Sequence, residues 1–264
     1  VLSNHATLAS VECAWGGGVY GGPDGALIQG NLVEGNRTNS INTGSGAGLY
    51  QWYGSAHYQG NLVQRNHGGS AIYLGYSQSS FTDNRVVDNT AAGLQLSYSS
   101  GGGPTLVNNV FARNSNRTLD AFASAGSPLT ATLLHNTLVG TGSGYGVYIE
   151  SGYVNLLLTN TIVASHTWGI TNTFPASSTV LADHTLFWAN TYDGIQGSNS
   201  LNGVPAFSAD GYHMLPGSAA IDVGVNAGVT TDIDNDPRPN GPGYDIGADE
   251  AQLRRVYLPL ILRN

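Results

Sequence analysis

Three charged residues stand at the same offset from a recurring asparagine. Arg65, Asp88 and Arg113 each lie four residues after an Asn that opens an Asn-x-apolar motif. If the motifs stack, these side chains form an Arg–Asp–Arg column on one face. The plainer reading is a ladder of surface ion pairs, each link worth about 0–1 kcal/mol. Asp232, Asp234 and Asp236 alternate like the start of a calcium loop, but Pro237 replaces the required Gly and Gly243 the bidentate Glu. A calcium site there would be irregular, and turn-shaping is the competing role. No other cofactor is implied. Hydrolysis by two carboxylates needs acids about 5–9.5 Å apart. Asp83 shares its column with Gly60, Asn108, His135 and Asp183, so no immediate neighbour is an acid. The histidines show no metal-ligand spacing, and Cys13, the single cysteine, has no partner for an intrachain disulfide.

Tyrosines offer a different chemistry. Tyr20, Tyr50, Tyr73 and Tyr148 each follow an apolar residue expected to point inward, so all four are expected on one outer face. Trp52, Tyr53, Tyr76, Tyr98 and Tyr153 enlarge that population. An exposed aromatic face stacks on sugars or packs against another protein. Strand propensity alone is the alternative reason for tyrosines there.

The elements that position these residues are repeats. Leading positions Asn31, Asn61, Asn84, Asn109, Asn136, Asn160 and His184 lie 30, 23, 25, 27, 24 and 24 residues apart. A fixed period in this range marks a solenoid. The residue three before each lead is apolar (Ile28, Tyr58, Phe81, Leu106, Leu133, Leu157, Leu181), and so is the one two after (Val33, Val63, Val86, Phe111, Leu138, Ile162, Leu186). A second alternating run places Leu49, Ile72, Leu94, Val147 and Ile170 inward. Two or three short strands per coil of about 24 residues describe an all-β, right-handed parallel β-helix. At about 4.8 Å per coil, seven to eight coils make a rod on the order of 35–40 Å long. The Asn columns, Asn31 to Asn160 and Asn36 to Asn114, suit left-handed turns and amide-to-amide stacking. They are expected to be scaffold.

The charge balance narrows the partners. Nine basic residues, none of them Lys, face seventeen acids, for a net charge of −8. No basic stripe exists to neutralise phosphates, which argues against nucleic acid. No stretch is long and apolar enough for a transmembrane helix. The chain opens at Val1 in coil-like sequence, so upstream sequence is expected to have been removed. Asn36 and Asn116 begin glycosylation sequons, Asn36 also serving the turn column.

Residues 1–203 carry the repeats, 204–250 form a closing segment, and 251–264 an apolar tail. The closing segment contains Gly217-Ser218-Ala219-Ala220-Ile221-Asp222, the acidic Pro-rich loop 232–241, and Asp245-Ile246-Gly247-Ala248-Asp249-Glu250. With the Gly16-Gly17-Gly18-Val19-Tyr20 opening, this order resembles the bacterial choice-of-anchor surface proteins, β-helices related in fold to pectate lyases and polymorphic outer-membrane proteins. Asp249 stands where that group usually has Tyr. The tail resembles endings in secreted proteins of Chloroflexi-like bacteria. The resemblance implies secretion and display at the cell surface, with no common enzymatic activity. Lyases of this fold use an Arg or Lys base, which gives Arg65, Asp88 and Arg113 their functional reading. Arg238 is expected to pair with Asp245 or Glu250 and lock the rod's end. Val256, Tyr257, Leu258, Leu260, Ile261 and Leu262 form a strand that needs a partner, either its own rod or another copy. The expected function is therefore that of a structural or adhesive protein that self-associates, with filaments as one form of assembly, through its open N-terminal coil and apolar C-terminal strand. A polysaccharide lyase, a glycosidase or a non-catalytic glycan binder is the alternative.

Overall fold

The computed structural model describes residues 17–21, 23–38, 45–90, 92–98 and 102–252, with the backbone of His5–Ala6. Among these residues every pairing between strands is parallel and there is no helix. The chain winds as a parallel β-helix with three short strands per coil. One ladder runs through Leu27–Gln29, His57–Gln59, Ser80–Thr82, Thr105–Val107 and Leu129–Leu134. A second runs through Leu32–Glu34, Leu62–Gln64, Arg85–Val87, Val110–Ala112 and Thr137–Val139. Both continue into the long strands Val154–Ala164 and Thr179–Trp188. A third ladder of eight strands includes Gly46–Gly54, Ser70–Ser77, Ala92–Ser97, Arg117–Phe122 and Tyr145–Ile149.

Corners between strands explain the spacing of the repeat. Gly30, Gly60, Asp83, Asn108, His135, Asn160 and His184 all take left-handed backbone, with φ between +42° and +65°. The Asn following each corner then closes a ladder of amides. Asn31, Asn61, Asn84 and Asn109 each donate both the backbone N–H and Nδ2 to Oδ1 of the Asn in the next coil, at 2.9–3.0 Å. Asn136 ends that series as acceptor. Asn36, Asn66, Asn89 and Asn114 repeat the arrangement at the next corner. Nδ2 also reaches a strand carbonyl one coil back, as Asn84 does to Tyr58 at 2.9 Å. Buried polar groups need such partners, and these amides satisfy one another inside the rod.

The register departs from the expected columns after Asn136. Thr137 pairs with Ile162 and Leu138 with Val163, so Thr161 and then Thr185 occupy the lead position, not Asn160 and His184. Leu158 and Ala182 continue the inward column, while Leu157 and Leu181 are 40% and 60% exposed. Val163 and Phe187 replace Ile162 and Leu186 as the inward pair. Ile162 and Leu186 are still buried, but on the outer surface of the coil. What covers them is the segment after residue 203. It lies across the flank of the coils from Arg85 to Leu186, packing Met214, Ala220 and Ile246 on Ile162 and Leu186, and Ile233 and Ala248 on Val110 and Ala112.

Asn160 has left the amide ladder to serve this strap. Its Oδ1 accepts from Val225 N at 2.9 Å and its Nδ2 donates to Val225 O at 2.6 Å, as a paired strand would. Gly247 sits so close to the coil that a Cβ there would meet Ile162 Cδ1 at 2.7 Å. Arg238 is the strap's internal tie. Its side chain is wholly buried, with Nη1 bonded to Glu250 Oε2 at 2.8 Å and Nη2 to Gly247 O at 2.8 Å. Asp245 contributes its backbone carbonyl to Arg238, not its carboxylate.

Candidate functional site

The Arg–Asp–Arg column occupies the second corner. Arg65, Asp88 and Arg113 share left-handed backbone, φ +52°, +57° and +54°, with Gly35 and Ser165. Their common offset is thus a property of the turn. Arg113 forms a two-point pair with Asp88, Nε–Oδ1 2.7 Å and Nη2–Oδ2 3.0 Å. Arg65 pairs instead with Glu34, on the coil before it. Asp83 is bonded to Asn108 and is held above the ordinary carboxylate range by burial. Its column continues through His135 to Asn160 and His184, so Asp183 stands outside it. His135 and His166 are buried, and burial lowers them to about 3 and about 4, leaving both rings neutral at pH 7.

The three aspartates of the acidic loop separate. Asp232 is buried, and its carboxylate is spent on backbone N–H groups: Oδ1 on Asp234 and Asp236, Oδ2 on Glu250, at 2.8–2.9 Å. That carboxylate shapes the turn. Asp234 is turned toward Arg85, at 2.8 Å, and His213. Among the sequon asparagines, Asn36 is fully buried with its amide on Asn66, which leaves no room for a glycan, whereas Asn116 is exposed in a turn. Val256, Tyr257, Leu258, Leu260, Ile261 and Leu262 lie outside the described residues.

The outer surface of the third ladder carries the richest arrangement. Register aligns Tyr20, Tyr50, Tyr73, Gln95, Asp120, Tyr148 and Thr171 in one outward column. Its tyrosines do not all present open rings. Tyr50 and Tyr73 are 1% and 2% exposed, because rings one coil apart stack on each other. Tyr20 lies 5.4 Å from Tyr50, and Tyr50 lies 5.1 Å from Tyr73 at an interplanar angle of 8°. Burial raises the Tyr73 hydroxyl to about 12, and it bonds Ser97 Oγ at 2.5 Å. Trp52, in the neighbouring column, spreads over Gly75, where a Cβ would meet its ring at 2.5 Å. A parallel stack of Tyr53, Tyr76 and Tyr98 follows at the corner, centroids 4.9 and 5.1 Å apart. Tyr20 and Tyr53 stay 65% and 56% exposed. Together with Pro23, Asp24, Gln51 and the half-buried Trp52 they line an open groove of about 450 Å³.

Farther along the same face the chemistry becomes ionic. Arg117 Nη1 bonds Asp120 Oδ2 at 2.8 Å and Glu150 Oε2 at 3.1 Å, carboxylates that belong to adjacent coils. The Arg117 guanidinium also lies 4.2 Å over the Tyr148 ring. Asp120 is buried, accepts from Gln95 at 3.2 Å, and keeps Oδ1 without a partner. Burial lifts its carboxyl to about 6 against the pull of Arg117. Sequence reasoning passed over this pair. The signal was present: Gln95 and Asp120 interrupt a column of outward tyrosines at equivalent strand positions.

Comparison with known proteins agrees with the coil geometry. A family model described as a right handed beta helix region matches residues 3–162. No curated protein matches the chain.

Proposed function

The chain belongs to the right-handed β-helix family, and from that premise we propose that it is an extracellular, surface-associated rod that binds a neutral glycan along its third ladder. What supports this reading above all is the groove between Tyr20, Trp52 and Tyr53. Aromatic rings offer an apolar face to the C–H side of a sugar, and the exposed carboxylate of Asp24 at the groove's edge suits its hydroxyls. The rings continue through Tyr76 and Tyr98 along the rod's axis, which fits an extended chain better than a single sugar. Charge supports a neutral ligand over a uronate. Asp24 lines the groove without a basic residue beside it, and the whole chain carries −8. The test is affinity electrophoresis through gels containing neutral or uronic-acid polysaccharides. Retardation by a neutral polymer, reduced at least tenfold in affinity by Trp52→Ala, is expected. Equal migration in every gel overturns the reading.

Hydrolysis is the second reading, favoured by Asp120 and Glu150 meeting on one guanidinium nitrogen. Asp120, lifted to about 6 by burial, has the character of a general acid, and Glu150 that of its carboxylate partner. Release of reducing ends from a bound glycan, lost in both Asp120→Asn and Glu150→Gln, would establish it. Binding without cleavage leaves the protein a non-catalytic receptor.

A further inference from the structure

The strap holds a convergent set of metal-type ligands that glycan binding does not use. A ring nitrogen of His213 and one carboxylate oxygen each from Asp234 and Asp249 lie within 4.8 Å of one another. They come from three separate pieces of the strap, brought together only by folding. His213 is already oriented: its Nδ1 faces Asp210 Oδ2, and its Nε2 lies 2.5 Å from Asp234 Oδ2. Asp210 is fixed in turn by Ser208 Oγ at 2.7 Å and by the N–H groups of Tyr212 and His213. A carboxylate holding one imidazole nitrogen so that the other faces a ligand set is the usual support of a metal-bound histidine.

Asp249 supplies the independent observation. It is only 6% exposed, and its Oδ2 accepts from Met214 N at 2.6 Å. A carboxylate so buried is costly as an anion unless donors or a cation meet it. The nearby charges point to a cation. Asp210, Asp234 and Asp249 gather around His213, and Arg85 pairs with Asp234 at 2.8 Å. Even with the imidazole protonated the three carboxylates exceed these two cations by one charge, and a divalent ion that displaces the Nε2 proton would restore the balance.

We propose that His213, Asp234 and Asp249 bind a zinc-type divalent ion that staples the strap, with Asp210 as the positioning residue for His213. One imidazole and two carboxylates suit Zn²⁺ or Co²⁺, with solvent completing the coordination. Calcium, which takes six to eight oxygen ligands, fits poorly. Through Asp234 and Arg85 the ion would also tie the strap to the coil strand Arg85–Val87.

The test is titration of the full, chelator-treated chain with Co²⁺, followed by its visible absorption bands, with Zn²⁺ and Ca²⁺ as competitors. One equivalent of Co²⁺ should give bands that Zn²⁺ abolishes and Ca²⁺ leaves intact. His213→Gln should weaken binding about a hundredfold, and Asp210→Asn about tenfold. Zn²⁺ should raise the Tm of the unaltered protein but not of His213→Gln. His213 is half-buried on the strap's surface, so this variant can be checked for folding by circular dichroism beside Asp249→Asn. No binding, or bands that persist in folded His213→Gln, overturns the proposal.

Discussion

The early and late coils of this rod are stitched in different ways. From Asn31 to Asn136 the corners are tied by side-chain amides, each accepting two donors from the coil before it. Beyond Asn136 the lead position becomes Thr161 and then Thr185, and that relay stops. The late coils carry apolar residues on their outer side, Ile162 and Leu186, and a strap covers them. The strap also reaches back over amide-tied coils, meeting Val110, Ala112 and Arg85. What it leaves open is the third ladder, where the aromatic rungs and the groove lie. Function is therefore expected at the early end and on the third ladder, and structural chemistry at the strap.

The comparison can be broken first at the strap's internal tie. Arg238→Ala leaves Glu250 buried without its cation. Removing one partner of such a pair costs about 3–5 kcal/mol, so denaturant unfolding should show a lowered midpoint or a separate early transition of the strap. Breaking the amide ladder comes next. Asn84→Ala removes the acceptor for Asn61 and the donors to Asn109, Tyr58 O and Thr82 O. A loss of about 3 kcal/mol follows from orphaning buried groups at about 1–3 kcal/mol each, measured by the same unfolding experiment.

Asp120 sharpens the picture through pH. Its carboxyl is raised to about 6 by burial, so the folded state holds that proton more tightly than the unfolded chain does. Its contribution therefore favours the fold below about pH 4 and is lost as pH rises through about 6. For Asp120→Asn, the fall in stability between pH 4 and pH 7 should flatten by on the order of 2–3 kcal/mol. Arg113 and Asp88 should give the smallest effect. Both side chains are more than 40% exposed, and Asp88→Asn should change stability by less than about 1 kcal/mol. A larger loss, or a loss of glycan binding, would show that this corner does more than turn the chain.

Much of the fold could be read from the amino-acid order because one residue type marks the corners. An Asn at the start of each motif, flanked by inward Val33, Val63, Val86, Phe111 and Leu138, fixes both register and face. The reading failed where that signal became degenerate. In Leu156-Leu157-Leu158-Thr159-Asn160-Thr161-Ile162 both alternations mix Leu with polar residues, so period two cannot say which Leu faces in. Asn160 fits the motif as well as Thr161 does, and only the strap's Val225 shows why it was released. The apolar residues on both faces were themselves a sign that something covers the outside. At the candidate site, alternation places Tyr50 and Tyr73 outward correctly, but outward is not the same as exposed. Rings repeated at the coil spacing bury one another, and the accessible surface passes to Tyr20, Trp52 and Tyr53. Asp120 stayed hidden because it takes a position that carries tyrosine in Tyr50, Tyr73 and Tyr148, and Glu150 because Arg117 joins it to Asp120 only across coils.

The most direct test of the glycan-binding claim is a fluorescence titration of Trp52. The chain has four tryptophans, so the unaltered protein is compared with Trp52→Phe during addition of a neutral oligosaccharide. A sugar stacking in the groove should quench or blue-shift the emission of the unaltered protein in a saturable way. Trp52→Phe should lose that response while keeping its Tm. A saturable response of the same size in Trp52→Phe, or no response to any neutral glycan that the protein retains in a gel, would contradict the placement of binding on this face.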